Sequence, residues 1–186
     1  SIDLLLVDPM YDRRSVQSIY PHISSIAGRC LKPSGILLVM IGQAHLPEAL
    51  TALLADNRLQ YHWTICYSVS GKNPSGPMQW KKVVSAWKPI IVISKGSYSK
   101  DLVPDTITAP PDVSDKEEYA FGQSVPALQE LIERYTDSGD TVMDVCCGGG
   151  SCAEAAILSN RRFVGCDISS DAVRITKAKV ARFFGA

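Results

Sequence analysis

At 186 residues the chain has the length of one domain, enough to bury most of its apolar surface without disulfide or metal staples. Hydrophobic residues at 46% and charged residues at 20% are the composition of a folded globular protein. Nineteen Lys and Arg against nineteen Asp and Glu leave no net charge, so any affinity for nucleic acid must come from local basic clusters.

In chain order, short runs rich in Val, Ile and Leu alternate with segments of helical period. Strands are expected at 3–7, 35–41, 61–69, 84–94, 141–145 and 163–167, and helices at 14–31, 46–57, 123–136, 150–160 and 170–183. Ser169 or Ser170 is a good cap for the last helix. The apolar runs are continuous rather than alternating, which suits strands covered on both faces. The pattern predicts an α/β domain, doubly wound around a mostly parallel sheet. Residues 70–80 are turn-formers, and 96–122 are polar, acidic and Pro-containing, so both are expected to be loops, the second a long connection.

The six cysteines form no CxxC pair, and His22, His45 and His62 are scattered, so no metal site is expected. Reduced thiols of a cytoplasmic protein are the simplest reading. No apolar run approaches the ~20 residues of a membrane span. Ile2 to Val7 contains an acid and lacks a basic leader, so it is expected to be a strand and not a signal peptide. Because that strand opens at Ser1, the chain is expected to be an excised domain of a longer polypeptide.

Val142-Met-Asp-Val-Cys-Cys-Gly-Gly-Gly-Ser151 reads as a strand, a glycine turn and a helix start. Such a turn lets backbone approach a ligand closely and offers free amides. About twenty residues on, Phe163-Val-Gly-Cys-Asp167 is a second strand ending in an acid, able to accept both hydroxyls of a ribose. Asp144, lying before the glycines, would repel a pyrophosphate but can hold the ammonium of a methionine moiety. The plain alternative is a strand-turn-helix with permissive glycines and a chance acid.

Leu4-Leu-Leu-Val-Asp8-Pro9-Met10-Tyr11 is a buried strand that stops at an acid, a proline and an aromatic. It resembles the D-P-P-Y motif of the amino-group DNA methyltransferases, whose ring-conjugated target amine is a poor nucleophile until acceptors take its hydrogens. That resemblance implies Asp8 as one acceptor, the carbonyl of Pro9 as another, and Tyr11 as the residue that stacks on an extruded base. An Asp-Pro turn with an aromatic packed beside it is the plain alternative.

Together these segments resemble the amino-group DNA methyltransferases. Asp144-Val-Cys-Cys-Gly148-Gly-Gly150-Ser is similar to that family's D-P-F-x-G-S-G-T motif, with Val145 and Cys146 for Pro-Phe. Asp8-Pro-Met-Tyr11 is similar to D-P-P-Y, and Phe121-Gly-Gln-Ser-Val-Pro126 resembles the segment that opens the helix before the glycine motif. The corner precedes the glycine strand, the order of the permuted β class, and Ser85 to Gly96 resembles phage-type members.

The resemblance implies a Rossmann-like, circularly permuted fold spanning 1–186, with S-adenosyl-L-methionine as cofactor and DNA as partner. It assigns Asp8, Pro9 and Tyr11 to catalysis. Phe121, Gln123, Ser124, Asp144, Cys146, Gly148, Gly150, Asp167 and Ile168 fall to the cofactor. Residues 70–82, with Lys72, Trp80, Lys81 and Lys82, fall where a target-recognition loop would lie, and the family's strand before the corner would precede Ser1. Methylation of adenine N6 is the expected activity. Cytosine N4, RNA or protein amines, and an inactive DNA- or partner-binding domain are the alternatives.

Overall fold

A computed structural model of the chain describes residues 1–70, 76–98, 101–110 and 122–185. Its centre is a seven-stranded sheet in the order β7-β3-β6-β2-β1-β8-β9. The strands are β1 (Ile2–Val7), β2 (Leu31–Met40), β3 (Leu59–Val69), β6 (Lys88–Lys95), β7 (Thr106–Ala109), β8 (Thr141–Asp144) and β9 (Arg162–Gly165). Strands β2, β1, β8 and β9 run parallel, whereas β6 is antiparallel to both β2 and β3. Strands β4 (Gly76–Met78) and β5 (Val83–Ser85) form a separate hairpin.

Side chains of successive strand residues point to opposite faces, and both faces here are covered. Leu4, Leu6, Ile36, Leu38, Ile90 and Val92 pack with α4 (Val125–Tyr135) and α5 (Ser151–Leu158). Leu5, Val7, Leu37, Val39, Ile91 and Ile93 pack on the other side with α1 (Arg13–Ser18), α2 (Tyr20–Cys30) and α3 (Leu46–Leu53). Helix α6 (Ser170–Ala181) follows β9, capped by Ser169, whose side chain accepts from the Ala172 amide. The doubly wound α/β expectation therefore holds.

Four boundaries differ from those expected. The helix expected at 14–31 breaks at Ile19, where Pro21 in the first turn of α2 has no amide to continue the preceding helix. The strand expected at 84–94 is two strands: β5 pairs in the hairpin and β6 starts afresh at Lys88. The 70–80 segment contains β4, although residues 71–75 lie outside the described residues. Finally, the connection at 96–122 carries β7, which extends the sheet parallel to β3 with Cys66 opposite Thr106.

Candidate active site

Three parallel strands end in or lead directly to an acid on the same edge of the sheet. Asp8 follows β1, Asp144 closes β8, and Asp167 lies two residues past β9. Strand β1 pairs with β8 (Leu5 opposite Met143) and β8 with β9 (Asp144 opposite Gly165), so the acids form a row. This is the carboxyl edge where open α/β sheets build their sites.

The Asp8 end is a closed polar network. The Tyr11 hydroxyl donates to Asp8 Oδ1 and the Gln123 amide nitrogen donates to Asp8 Oδ2. Lys88 donates to the Tyr11 hydroxyl oxygen at 2.9 Å and lies 3.7 Å from Asp8 Oδ1. Burial, then the neighbouring Asp8 carboxylate, raises the Tyr11 phenol well above its ordinary value, so Tyr11 acts as a neutral donor. The Tyr20 hydroxyl donates to the Met10 carbonyl at 3.3 Å, and a Cβ on Gly42 would stand 3.1 Å from that of Tyr11. Tyr20 and Gly42 thus fix the backbone and the room on either side of the corner. Pro9 is buried and Met10 exposed.

The Asp144 carboxyl is buried, and its Oδ1 accepts the Cys146 amide at 2.9 Å. Burial foremost, with the nearby Asp8 and Asp167 charges, pushes its pKa up to about 7. Its charged form is therefore short of a cation. Asp167 orders the glycine turn: Oδ2 accepts the Gly148 amide and Oδ1 the Ser169 amide, each at 2.9 Å. An ionised carboxylate offers about four acceptor positions, so lone pairs remain on both oxygens. Ile168 beside it is fully exposed.

Gly148 and Gly150 have φ of +49° and +86°. A Cβ on Gly150 would lie 2.9 Å from Thr176 Oγ1, so at this position both conformation and space require glycine. Ser124 precedes α4 with its hydroxyl buried and, among the described residues, without a hydrogen-bond partner. A buried hydroxyl of that kind is short of a partner. Burial raises the thiols of Cys146 and Cys147 to about 12 and about 11, which makes both poor nucleophiles.

The twelve residues assigned from the sequence thus fall into two adjoining groups. Asp8, Pro9 and Tyr11 form the corner, and Ser124, Asp144, Cys146, Gly148, Gly150, Asp167 and Ile168 surround the glycine turn. Gln123, assigned to the cofactor group, reaches across to Asp8 instead; its own amide donates to Ser151 Oγ at 3.3 Å, which ties it to the turn as well. Phe121 lies outside the described residues. Lys88, Tyr20 and Gly42 carry no sequence signal of their own: Lys88 opens an apolar run, and only an antiparallel β6 brings that end to the acids. Of the suggested recognition segment, Trp80 is exposed with Lys81 Nζ 4.9 Å from its ring centre, while Lys72 lies outside the described residues.

The fold and this row of strand ends define a Rossmann-like α/β architecture. Residues 123–178 match the family model described as DNA methylase, of the N6/N4 type. The solved structures with this fold include M1.HpyAVI in complex with SAM, at TM-score 0.77 and 16% identity over 97% of this chain and 89% of that one. PvuII DNA methyltransferase, described as cytosine-N4-specific, aligns at TM-score 0.77 and 15% identity over 100% of this chain and 85% of that one. A Thermus thermophilus protein described as a putative DNA modification methylase, complexed with S-adenosyl-L-methionine, aligns at TM-score 0.73 and 16% identity over 98% of this chain and 86% of that one. No curated protein matches the sequence. Among the described residues no group of side chains could hold a metal ion, and no helix is long and apolar enough to cross a membrane.

Proposed function

We propose that the chain transfers a methyl group from S-adenosyl-L-methionine to the exocyclic amine of a DNA base, with adenine N6 as the target. The observation that carries this reading is the placement of Asp8 and Asp144 at the ends of hydrogen-bonded neighbouring strands. One acid can accept from a substrate amine while the other faces a cationic ligand a few ångströms away.

The residues around the turn fit the cofactor. Among the described residues the buried Ser124 hydroxyl has no partner and Asp144 no cation beside it, and Asp167 keeps lone pairs for the two ribose hydroxyls. When bound, the cofactor supplies a methyl on a sulfonium, whose sulfur takes the bonding pair as the amine nitrogen attacks in line. Asp8 accepts one amine hydrogen and so shifts nitrogen electron density toward the lone pair. It also offsets the positive charge that develops on nitrogen before the proton leaves. Tyr11 turns from Asp8 to the face of the extruded base. Positioning two reactants in one enclosure supplies most of the remaining acceleration.

Adenine is favoured because Asp, rather than Ser, precedes Pro9, and because a purine covers more of the Tyr11 ring. Cytosine N4 is the second reading, favoured by the likeness to the PvuII enzyme. Incubation with unmethylated DNA and labelled S-adenosylmethionine, followed by nucleoside mass spectrometry, tests both. N6-methyladenine is the expected product; N4-methylcytosine alone overturns the base assignment, and no transfer to DNA overturns the activity.

A further inference from the structure

We infer that Lys88 donates to the ring nitrogen beside the amine being methylated, which makes it a specificity-determining residue. This rests on the base-methylation reading above. Lys88 is the first residue of β6 and its side chain is largely buried. Its ammonium lies over the rings of Tyr11 and Tyr67, at 5.3 and 5.6 Å from their centres. Besides the Met40 sulfur at 3.8 Å, its polar neighbours among the described residues belong to the Asp8 network: the Tyr11 hydroxyl at 2.9 Å, the Gln123 carbonyl oxygen at 3.5 Å and Asp8 Oδ1 at 3.7 Å.

If Lys88 served only to neutralise Asp8, a direct contact would be the stronger arrangement. Instead the Tyr11 hydroxyl stands between them, accepting from Lys88 and donating to Asp8 Oδ1. One atom meets two demands, an acceptor for the ammonium and a donor for the carboxylate. When Tyr11 turns onto a base face, both demands open together, with donor and acceptor 3.7 Å apart.

The edge that replaces the hydroxyl must therefore present a donor beside an acceptor. An amidine does so: its amine hydrogen goes to Asp8 and the neighbouring ring nitrogen accepts from Lys88. Adenine (N6 and N1) and cytosine (N4 and N3) carry that edge. Guanine offers N1–H beside its amine on the Watson–Crick edge, so there donor would face donor, and the acceptor on the other side of that amine, N3, lies against the sugar. Thymine has no exocyclic amine. The pair Asp8–Lys88 thus reads the chemical class of the base, and a lysine at that position binds as a point donor with three hydrogens.

The test compares transfer by the wild-type chain, Lys88→Met and Lys88→Arg to DNA copied with adenine or with 1-deazaadenine. If N4-methylcytosine is the product, the pair is cytosine and 3-deazacytosine. The deaza change also alters amine reactivity, but that effect is common to all three proteins and cancels in the comparison. The wild type should lose at least tenfold more kcat/KM on deaza DNA than Lys88→Met does. Lys88→Met should be slowed at least tenfold on natural DNA, and Lys88→Arg should recover part of both. Equal deaza sensitivity in wild type and Lys88→Met overturns the inference and leaves the base-methylation reading intact. No transfer to any DNA by the wild type, with cofactor binding intact by calorimetry, overturns that reading and this inference with it.

Discussion

The amide of Gly148 lies 2.9 Å from Asp167 Oδ2, so the acid after β9 also fixes the turn after β8. One residue therefore shapes the loop and remains available to a ligand. Asp167→Ala should weaken S-adenosylmethionine binding at least tenfold, since each charge-assisted hydrogen bond is worth about 1.5–3 kcal/mol. Asp167→Asn, which keeps one acceptor oxygen, should lose less. Isothermal calorimetry measures both, and unchanged affinity in Asp167→Ala removes the site assignment.

Asp144 predicts a pH dependence. Its folded pKa, about 7, stands above the ordinary 3.8, so folding favours the protonated acid. Its contribution to stability is greatest below the ordinary value and is lost as pH rises through about 7. Cofactor binding runs the other way, because a cationic ligand needs the ionised form. Affinity should rise about tenfold from pH 6 to pH 8, following the ionised fraction of a group titrating near 7. In Asp144→Asn the profile should be flat and the affinity low throughout. A flat profile in the wild type would show that Asp144 does not face the ligand's charge.

Asp8→Ala should lower methyl transfer by ~10²–10⁴-fold, the range for losing one preorganised polar group, with cofactor affinity nearly unchanged. Single-turnover transfer and calorimetry separate the two effects. Full activity in this variant would overturn the mechanism.

Tyr11 makes two separable contributions. Tyr11→Phe keeps the ring and removes the hydroxyl that occupies Asp8 in the resting site, so transfer should persist at or above the wild-type rate. Tyr11→Ala should weaken capture of the extruded base by ~1–3 kcal/mol, read as a raised KM. A Phe variant as impaired as the Ala variant would mean that the hydroxyl, and not the ring, is what the reaction uses.

Gly150→Ala should destabilise the fold by about 1–3 kcal/mol, the cost of a non-glycine residue held in a sparsely populated conformation. The added Cβ would also press on Thr176. The urea midpoint should fall, and cofactor affinity with it. Gly139→Ala is the control, since its φ of +85° imposes the same backbone cost with no atom nearby.

The parts of this architecture legible in the sequence are those governed by local rules. Acids at the ends of apolar runs marked Asp8, Asp144 and Asp167, and Ser169 marked the start of α6. The illegible parts depend on pairing between distant segments. Thr106 to Ala109 is four residues long, alternately exposed and buried, and becomes a strand only because β3 offers an edge to it. Lys88 lies inside the strand expected at 84–94 and bears no mark of a site until the antiparallel direction of β6 brings it to Asp8. The break between β5 and β6 was equally hidden, because Val83 to Ser94 is nearly continuous apolar sequence.

That break also has a mechanical side. Only Ala86 and Trp87 separate the hairpin from Lys88. The Trp87 carbonyl is gripped by Ser85 Oγ at 3.0 Å and by the Gln43 amide at 3.1 Å. Such a short, doubly anchored joint has no slack. A displacement of the hairpin must either tear that grip or drag the Lys88 backbone with it, so the exposed Trp80 is mechanically joined to the residue that sits beside Asp8.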